Sequence, residues 1–277
     1  MSLKLTIDGA SVPIVLRRFP AGETFLRLED PLAHVHNQAA SVEAHVSLEF
    51  EGNDDLFNLA LLVDALRRQY SKTAIHLIML YLPYARQDRV CSPGESLSVK
   101  VVADFINSLK LDCVYCWNIH SDVGAAVLDN LQQRESHYCF NLSRFDKQNT
   151  ILVSPDAGAN KKVLSLAKLG GFPNVVRADK TRDVMTGKIT GTAVYSEHVG
   201  NKDFLILDDI CDGGRTFTEL ARELHKLTTG KVMLYVTHGI FSSGVETLDS
   251  LFDKMYITNP VGATGKAAVE SGKVTVI

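Results

Sequence analysis

The sequence has no run approaching the ~18 uninterrupted apolar residues that a membrane-spanning helix needs. Its start, Met1-Ser2-Leu3-Lys4-Leu5-Thr6, lacks the apolar core of a secretory signal. An excess of one charge is also missing. The 29 Lys and Arg against 32 Asp and Glu leave a net charge of −3, which speaks against nucleic acid or an anionic membrane as a partner. A small anionic substrate must then be held by a local basic site. Cysteine is sparse and odd in number: Cys91, Cys113, Cys116, Cys139 and Cys211. With no secretory signal, that favours reduced thiols and a cytoplasmic location. Cys113 and Cys116 form a C-x-x-C inside a strand-like run and no second such pair follows, so they are expected to pack in a core rather than hold zinc. No G-x-x-x-x-G-K-[ST] string occurs, which excludes the P-loop way of holding a nucleotide.

What is present is ordinary globular material. Of 277 residues, 45% are apolar and 22% charged, enough to bury a core without disulfide staples and long enough for two domains. Strand-like and helix-like segments alternate, the pattern of an α/β fold with mostly parallel strands. Asn53 is placed to cap a helix over 54–70, with Asp54 and Asp55 in its first turn and Arg67 and Arg68 in its last. The apolar run 75–82 reads as a buried strand ending in a loop over 83–94; a helix follows over 96–109 and a strand over 114–119. A second half repeats the scheme, with strands over 151–153, 204–207 and 232–236 and helices over 160–169 and 216–228. Segments 23–28 and 46–50 read as further strands. Two similar halves, 1–140 and 141–277, joined near 139–150, are expected.

In open α/β sheets, ligands bind at the carboxyl ends of the strands. The strongest candidate there is Phe204-Leu205-Ile206-Leu207-Asp208-Asp209-Ile210-Cys211-Asp212-Gly213-Gly214-Arg215-Thr216. It joins a buried strand, two acids and a glycine turn that opens a helix. Backbone N–H groups of such a turn can wrap a phosphate, and Thr216 adds a hydroxyl. The carboxylates repel phosphate and suit ribose hydroxyls or a hydrated Mg²⁺. A plain acidic helix cap is the bland reading, which Asp212 alone would satisfy. The second candidate is Tyr81-Leu82-Pro83-Tyr84-Ala85-Arg86-Gln87-Asp88-Arg89. There Arg86 offers a planar fork to phosphate and Gln87 an amide to an adenine edge.

The first segment resembles the phosphate-binding loop shared by phosphoribosyltransferases and PRPP synthetases. The second resembles the ATP-site signature of the PRPP synthetases alone, the ribose-phosphate pyrophosphokinase family, and Val63–Arg68 and Lys100–Phe105 flank it with further matches. The resemblance covers nearly the whole chain. It implies two phosphoribosyltransferase-like domains, each a mostly parallel sheet flanked by helices, and transfer of the ATP diphosphate to the C1 hydroxyl of ribose 5-phosphate. It also implies roles residue by residue. Arg86, Gln87 and His120, in Asn118-Ile119-His120-Ser121, meet ATP, together with Phe19 and Glu23 from a neighbouring subunit. Asp208, Asp209, Asp212, Gly213, Gly214, Arg215 and Thr216 meet ribose 5-phosphate. Asp156 in Ser154-Pro155-Asp156-Ala157-Gly158 binds Mg²⁺, with His120 at the metal–ATP unit. Lys180 and Arg182, in the Asp179–Arg182 segment matched to a mobile catalytic loop, close over the phosphates. Tyr235–Ser242 matches a further family segment. A homo-oligomer, a dimer or a hexamer built from dimers, is implied as well.

Two departures stand out. The family's Phe-x-(Asp/Asn)-x-Glu is here Phe19-Pro20-Ala21-Gly22-Glu23, and its usual Asp-Thr-Gly-Gly-Thr is here Asp212-Gly213-Gly214-Arg215-Thr216. Two other readings stay open on sequence grounds: a transferase that consumes PRPP, and a catalytically silent partner of an active synthetase. The first leaves the Arg86 loop without a purpose, and the second is expected to lose Lys180, Arg182 or His120.

Overall fold

A computed structural model describes residues 2–29, 41–134, 141–182 and 189–277, with backbone alone at 134, 180–182, 189 and 190. The chain falls into two compact units, Met1–Arg134 and Glu135–Ile277. Of the junction expected over 139–150, residues 139 and 140 lie outside the described residues.

In the N-terminal unit the strands are β1 (Leu3–Ile7), β2 (Ala10–Val12), β3 (Ile14–Arg18), β4 (Thr24–Leu28), β5 (Ser41–Leu48), β6 (Lys72–Ile78), β7 (Cys113–Trp117) and β8 (Leu131–Arg134). Six form one sheet in the order β2-β1-β5-β6-β7-β8, while β3 and β4 pair as a separate antiparallel hairpin. From β5 to β8 every pairing is parallel, so each connection must cross over the sheet. The crossovers carry α1 (Asp54–Gln69), α2 (Ser98–Ser108) and α3 (Asp122–Ala126). Period-2 burial along β5 sends Val42, Ala44, Val46 and Leu48 into the core, where Leu59, Leu62 and Leu66 of α1 also sit.

The start of α1 corrects one expectation. Asn53 occupies the cap position with helical backbone angles and makes no side-chain cap. Its amide oxygen instead accepts the Tyr84 hydroxyl at 2.6 Å, and the turn before the helix is held by Asp55, which accepts the backbone N–H groups of Glu51 and Gly52 at 2.7 and 2.9 Å. Cys113 and Cys116, three apart on β7, point to opposite faces. Both are buried, and burial pushes the Cys116 thiol up to about 12.

The C-terminal unit holds β9 (Thr150–Ser154), α4 (Ala157–Gly170), β10 (Val175–Arg182), β11 (Ile189–Val194), β12 (Asp203–Cys211), α5 (Arg215–Leu224), β13 (Val232–Gly239), α6 (Glu246–Asp249), β14 (Lys254–Pro260), α7 (Gly262–Glu270) and β15 (Val274–Val276). Its sheet runs β11-β10-β9-β12-β13-β14-β15, parallel throughout except for β11. Both faces are covered. Phe204 and Ile206 share a core with Phe217, Leu220 and Leu224 of α5, whereas Leu205 and Leu207 pack with Val163 and Leu166 of α4. All eight residues of β13 are buried, as a central parallel strand requires.

Two expectations change here. The strand expected over 204–207 continues to Cys211, because Asp208 to Cys211 stay in register with Val236 to Gly239 of β13. The acids therefore lie within the strand, not after it. Asp179–Arg182, expected as a loop, is the end of β10 and pairs antiparallel with β11, with a register shift between Thr181 and Arg182. Arg177 holds Asp179 in a bidentate pair at 2.8–3.1 Å, which favours extended backbone at this point.

Tyr235 is buried in β13, and its hydroxyl joins Asn141 at 2.8 Å and Thr258 at 2.9 Å; Asn141 also donates to the Ile277 carbonyl at 3.0 Å. Tyr235→Phe removes that hydroxyl and leaves Asn141 and Thr258 one partner short. It is expected to cost about 1–2 kcal/mol, read as a fall of roughly 2–8 °C in the thermal midpoint.

Candidate active site

In the N-terminal unit the candidate site is built by the chain that leaves β6 and β7. Beyond β6 the pairing continues for one step, with Met79 N–H donating to Tyr115 and Trp117 N–H donating to Leu80. Tyr84 then turns the chain with a left-handed φ of 62°, unfavourable for an aromatic residue and held by its surroundings. Its hydroxyl is tied to Asn53 and its ring meets Phe50 edge to face at 6.4 Å. Gln87 N–H closes the turn on the Tyr84 carbonyl at 2.9 Å, and the Gln87 carbonyl takes the Val99 N–H of α2 at 3.3 Å. Leu82, Pro83 and Ala85 are buried in consequence, while the side chains of Arg86 and Gln87 face solvent.

Asp88 turns back inward. Its side chain is only 8% exposed and accepts Arg89 Nε at 3.0 Å. The Arg89 guanidinium holds its carboxyl below the ordinary range; burial opposes this, and the Ser121 hydroxyl and neighbouring His120 add to the lowering. Asp88 thus connects the Arg86 loop to the end of β7. There Asn118, fully buried with φ 46°, and buried Ile119 turn the chain so that His120 emerges exposed. Ser121 caps α3 by accepting Gly124 N–H at 3.3 Å. Phe19 and Glu23 bracket the exposed tip of the β3–β4 hairpin, closed by Phe19 N–H to the Glu23 carbonyl at 2.8 Å.

In the C-terminal unit three segments supply the groups. At the end of β9, Asp156 caps α4, its Oδ1 accepting Ala159 N–H at 3.1 Å. Within β12, Asp208 and Asp209 stand side by side, Asp209 buried and Asp208 half-buried. Burial first, then the Asp209 charge, pushes the Asp208 carboxyl well above its ordinary range, and Asp156 adds to the rise. The chain next passes through Asp212-Gly213-Gly214 into α5. Gly214 is the cap, at φ 76°, and a Cβ there would stand 2.9 Å from Leu248, so both conformation and space demand glycine. The N–H groups of Arg215, Thr216 and Phe217 head the helix without i−4 partners, a ready seat for phosphate. Asp212, offered on sequence grounds as a simple cap, instead accepts the Ser242 hydroxyl at 2.5 Å.

A family description, the N-terminal domain of ribose phosphate pyrophosphokinase, matches residues 4–109. The ribose-phosphate pyrophosphokinase of Rhizobium meliloti is 31% identical over 278 residues, covering 97% of this chain and 84% of its own. That of Agrobacterium fabrum is 30% identical over 269 residues, covering 95% and 82%. The chain belongs to the ribose-phosphate pyrophosphokinase family. Its fold is similar to that of the phosphoribosylpyrophosphate synthetase from Mycobacterium smegmatis, with a TM-score of 0.77 over 98% of this chain and 87% of that one, at 22% identity.

Within this ribose-phosphate pyrophosphokinase fold, the structure brings Arg86, Gln87 and His120 to one N-terminal neighbourhood through Asp88. In the C-terminal unit it brings Asp156 and Asp209 near enough to act on the Asp208 carboxyl, on the strand that leads into Gly213–Thr216. Lys180 and Arg182 sit on β10, and their side chains lie outside the described residues. Among the described residues no group of three His, Cys, Asp or Glu is arranged to hold a metal ion. Asp156 beside Asp208 fits Mg²⁺ all the same, since that ion takes one or two carboxylates and completes its shell with water and substrate phosphate. Asp88, Ser121 and Ser242 lie inside segments matched on sequence grounds, but no role is assigned to them there. Asp88 lies inside the Tyr81–Arg89 motif, and only its inward turn sets it apart from the charged neighbours it resembles.

The raised Asp208 carboxyl carries a stability cost with a definite sign. Below about pH 4 the acid is protonated both folded and unfolded and there is no cost. As pH rises towards the raised folded value, the unfolded chain ionises more readily and stability falls. Asp208→Asn removes the cost. The variant is expected to melt roughly 2–4 °C above the wild type at pH 8, the gap closing near pH 4. Thermal melts across that range check it.

Proposed function

We propose that this protein transfers the diphosphate of ATP to the C1 hydroxyl of ribose 5-phosphate, giving PRPP and AMP. The observation that carries the reading is the Tyr81–Arg89 loop, turned so that Arg86 and Gln87 face outward while Asp88 links them to His120. A PRPP-consuming transferase has no use for such a loop.

In this reading Arg86 and His120 meet the ATP phosphates and Gln87 the adenine. The backbone of Gly213–Thr216 holds the 5-phosphate, with Arg215 beside it. Asp208, Asp209 and Asp212 hold the ribose side, accepting from hydroxyls. Phosphoryl transfer asks the protein mainly for alignment and charge neutralisation, and alignment is worth roughly 7–11 kcal/mol. When bound, Mg²⁺ supplies charge neutralisation on the phosphate oxygens. Asp156 would hold it in the C-terminal unit, and His120 belongs with the metal–ATP unit in the N-terminal one. Lys180 and Arg182 stabilise charge developing on the transferred diphosphate. The protein works in the cytoplasm as a homo-oligomer, a dimer or a hexamer of dimers, in which the exposed Phe19–Glu23 tip serves a neighbour's ATP.

Incubating the protein with ATP, Mg²⁺ and ribose 5-phosphate is expected to release AMP in step with PRPP. Release of ADP, or no turnover, overturns the reading. Lys180→Ala is expected to lower kcat by about 10²–10³-fold, the scale for one preorganised charge donor, with ribose 5-phosphate binding little changed.

A further inference from the structure

The loop at Gly213–Thr216 faces the turn that follows β13. Ile240 and Phe241 both donate their N–H groups to the Cys211 carbonyl, at 2.8 and 3.2 Å, which fastens the segment after β13 to the segment after β12. Phe241 is buried with a left-handed φ of 51°, and Gly244 N–H closes the turn on the Phe241 carbonyl at 2.9 Å. The turn sends two adjacent hydroxyls towards the phosphate loop. Ser242 is engaged by Asp212. Ser243 is directed at Gly213: a Cβ built on Gly213 would lie 3.3 Å from Ser243 Oγ.

Gly213 itself does not have a left-handed φ, so its backbone does not require glycine. What the missing side chain provides is room, which lets the Ser243 hydroxyl approach the bare loop backbone. A cavity of about 330 Å³ opens at this point, lined among others by Gly213, Ser243, Arg215, Arg222, Thr218 and Thr247. The Glu219 carboxylate lines it too, and the Thr218 hydroxyl is given to the Gly214 carbonyl at 3.0 Å; the two guanidinium groups and the Ser243 and Thr247 hydroxyls remain to suit an anion bearing several acceptor oxygens. Arg215 is 76% exposed and paired only one helical turn away with Glu219, at 3.0 Å. An exposed pair of that kind is weak, so little opposes a move of Arg215 towards a better anion.

We infer that Ser243 is a binding residue for the phosphate monoester of the sugar substrate, donating its hydroxyl across Gly213 to a phosphate seated on the N-terminus of α5. Glycine at 213 and serine at 243 act as one unit, the hydroxyl coming from the neighbouring turn rather than from the loop. This rests on the assignment of the 212–216 loop to ribose 5-phosphate.

Calorimetric titration of the full chain tests it, with ribose 5-phosphate in one arm and inorganic phosphate in the other. A hydrogen bond to a charged group implies about a tenfold loss of affinity on its removal. Ser243→Ala is expected to weaken both ligands by that factor and leave ATP binding unchanged, while Ser243→Thr keeps the wild-type affinity. Gly213→Ala is expected to weaken binding in the wild type, by displacing the Ser243 hydroxyl, and to add little in the Ser243→Ala background. Unchanged affinity in Ser243→Ala, or a Gly213→Ala effect equal in both backgrounds, overturns the inference. Ser243-dependent binding of inorganic phosphate without binding of ribose 5-phosphate upholds the cradle and overturns the sugar substrate instead. Binding of neither ligand by the wild type overturns both.

Discussion

The parallel pairing of β12 with β13 is the constraint on which the C-terminal unit depends. It continues to Cys211 and Gly239, several residues further than burial of the apolar run alone requires. That extra length carries Asp208 and Asp209 within the sheet, where Asp208 Oδ1 accepts the Asp209 N–H and Asp209 Oδ1 accepts the Ile210 N–H, each at 2.9 Å. It also brings the two strand exits close enough for the Cys211 carbonyl to serve both Ile240 and Phe241. Like charges are held together by a framework that gains nothing from their proximity. Binding sites commonly carry such a cost, and the stability comes from the apolar contacts on both faces of the sheet.

The N-terminal unit uses a different device. Its sheet ends cleanly, and the departing chain is bent at single residues with left-handed backbone, Tyr84 and Asn118. Neither is glycine, so the conformation has to be imposed by contacts: the Tyr84 hydroxyl on Asn53, its ring on Phe50, and complete burial of Asn118. A glycine would adopt these angles without strain but would tolerate others too. The cost is of order 1–3 kcal/mol per residue, and in exchange Arg86 and His120 emerge from defined points.

Much of the fold was legible because periodicity reports burial directly. The runs that became β6, β7, β9, β12 and β13 were readable as strands and their intervening helices as helices, with ends displaced by a few residues. The failures have physical causes. The extension of β12 through two aspartates runs against strand propensity and is decided by the register of β13, a tertiary fact. β10 carries alternating charges that satisfy one another across Arg177 and Asp179, so it looked like a solvated loop. The end of the chain, with β14, α7 and β15, has short elements whose boundaries only neighbouring strands define. At the site, the motif residues were found by resemblance, whereas Asp88, Ser121 and Ser243 owe their interest to partners distant in sequence.

The β3–β4 hairpin has a consequence of another kind. Two strands alone are marginal in water, and this pair keeps Phe19 54% and Phe25 39% exposed, their rings edge to face at 6.4 Å. Leu16, Leu26 and Leu28 anchor its base on the core and Arg18 is tied to Asp54 of α1, while residues 19–23 of the tip are all exposed. Amide protons near Phe19–Glu23 will therefore exchange early and a protease will cut there first, unless another surface covers the rings. A second molecule that covered the rings would tie order at this tip to its own concentration as well as to the fold.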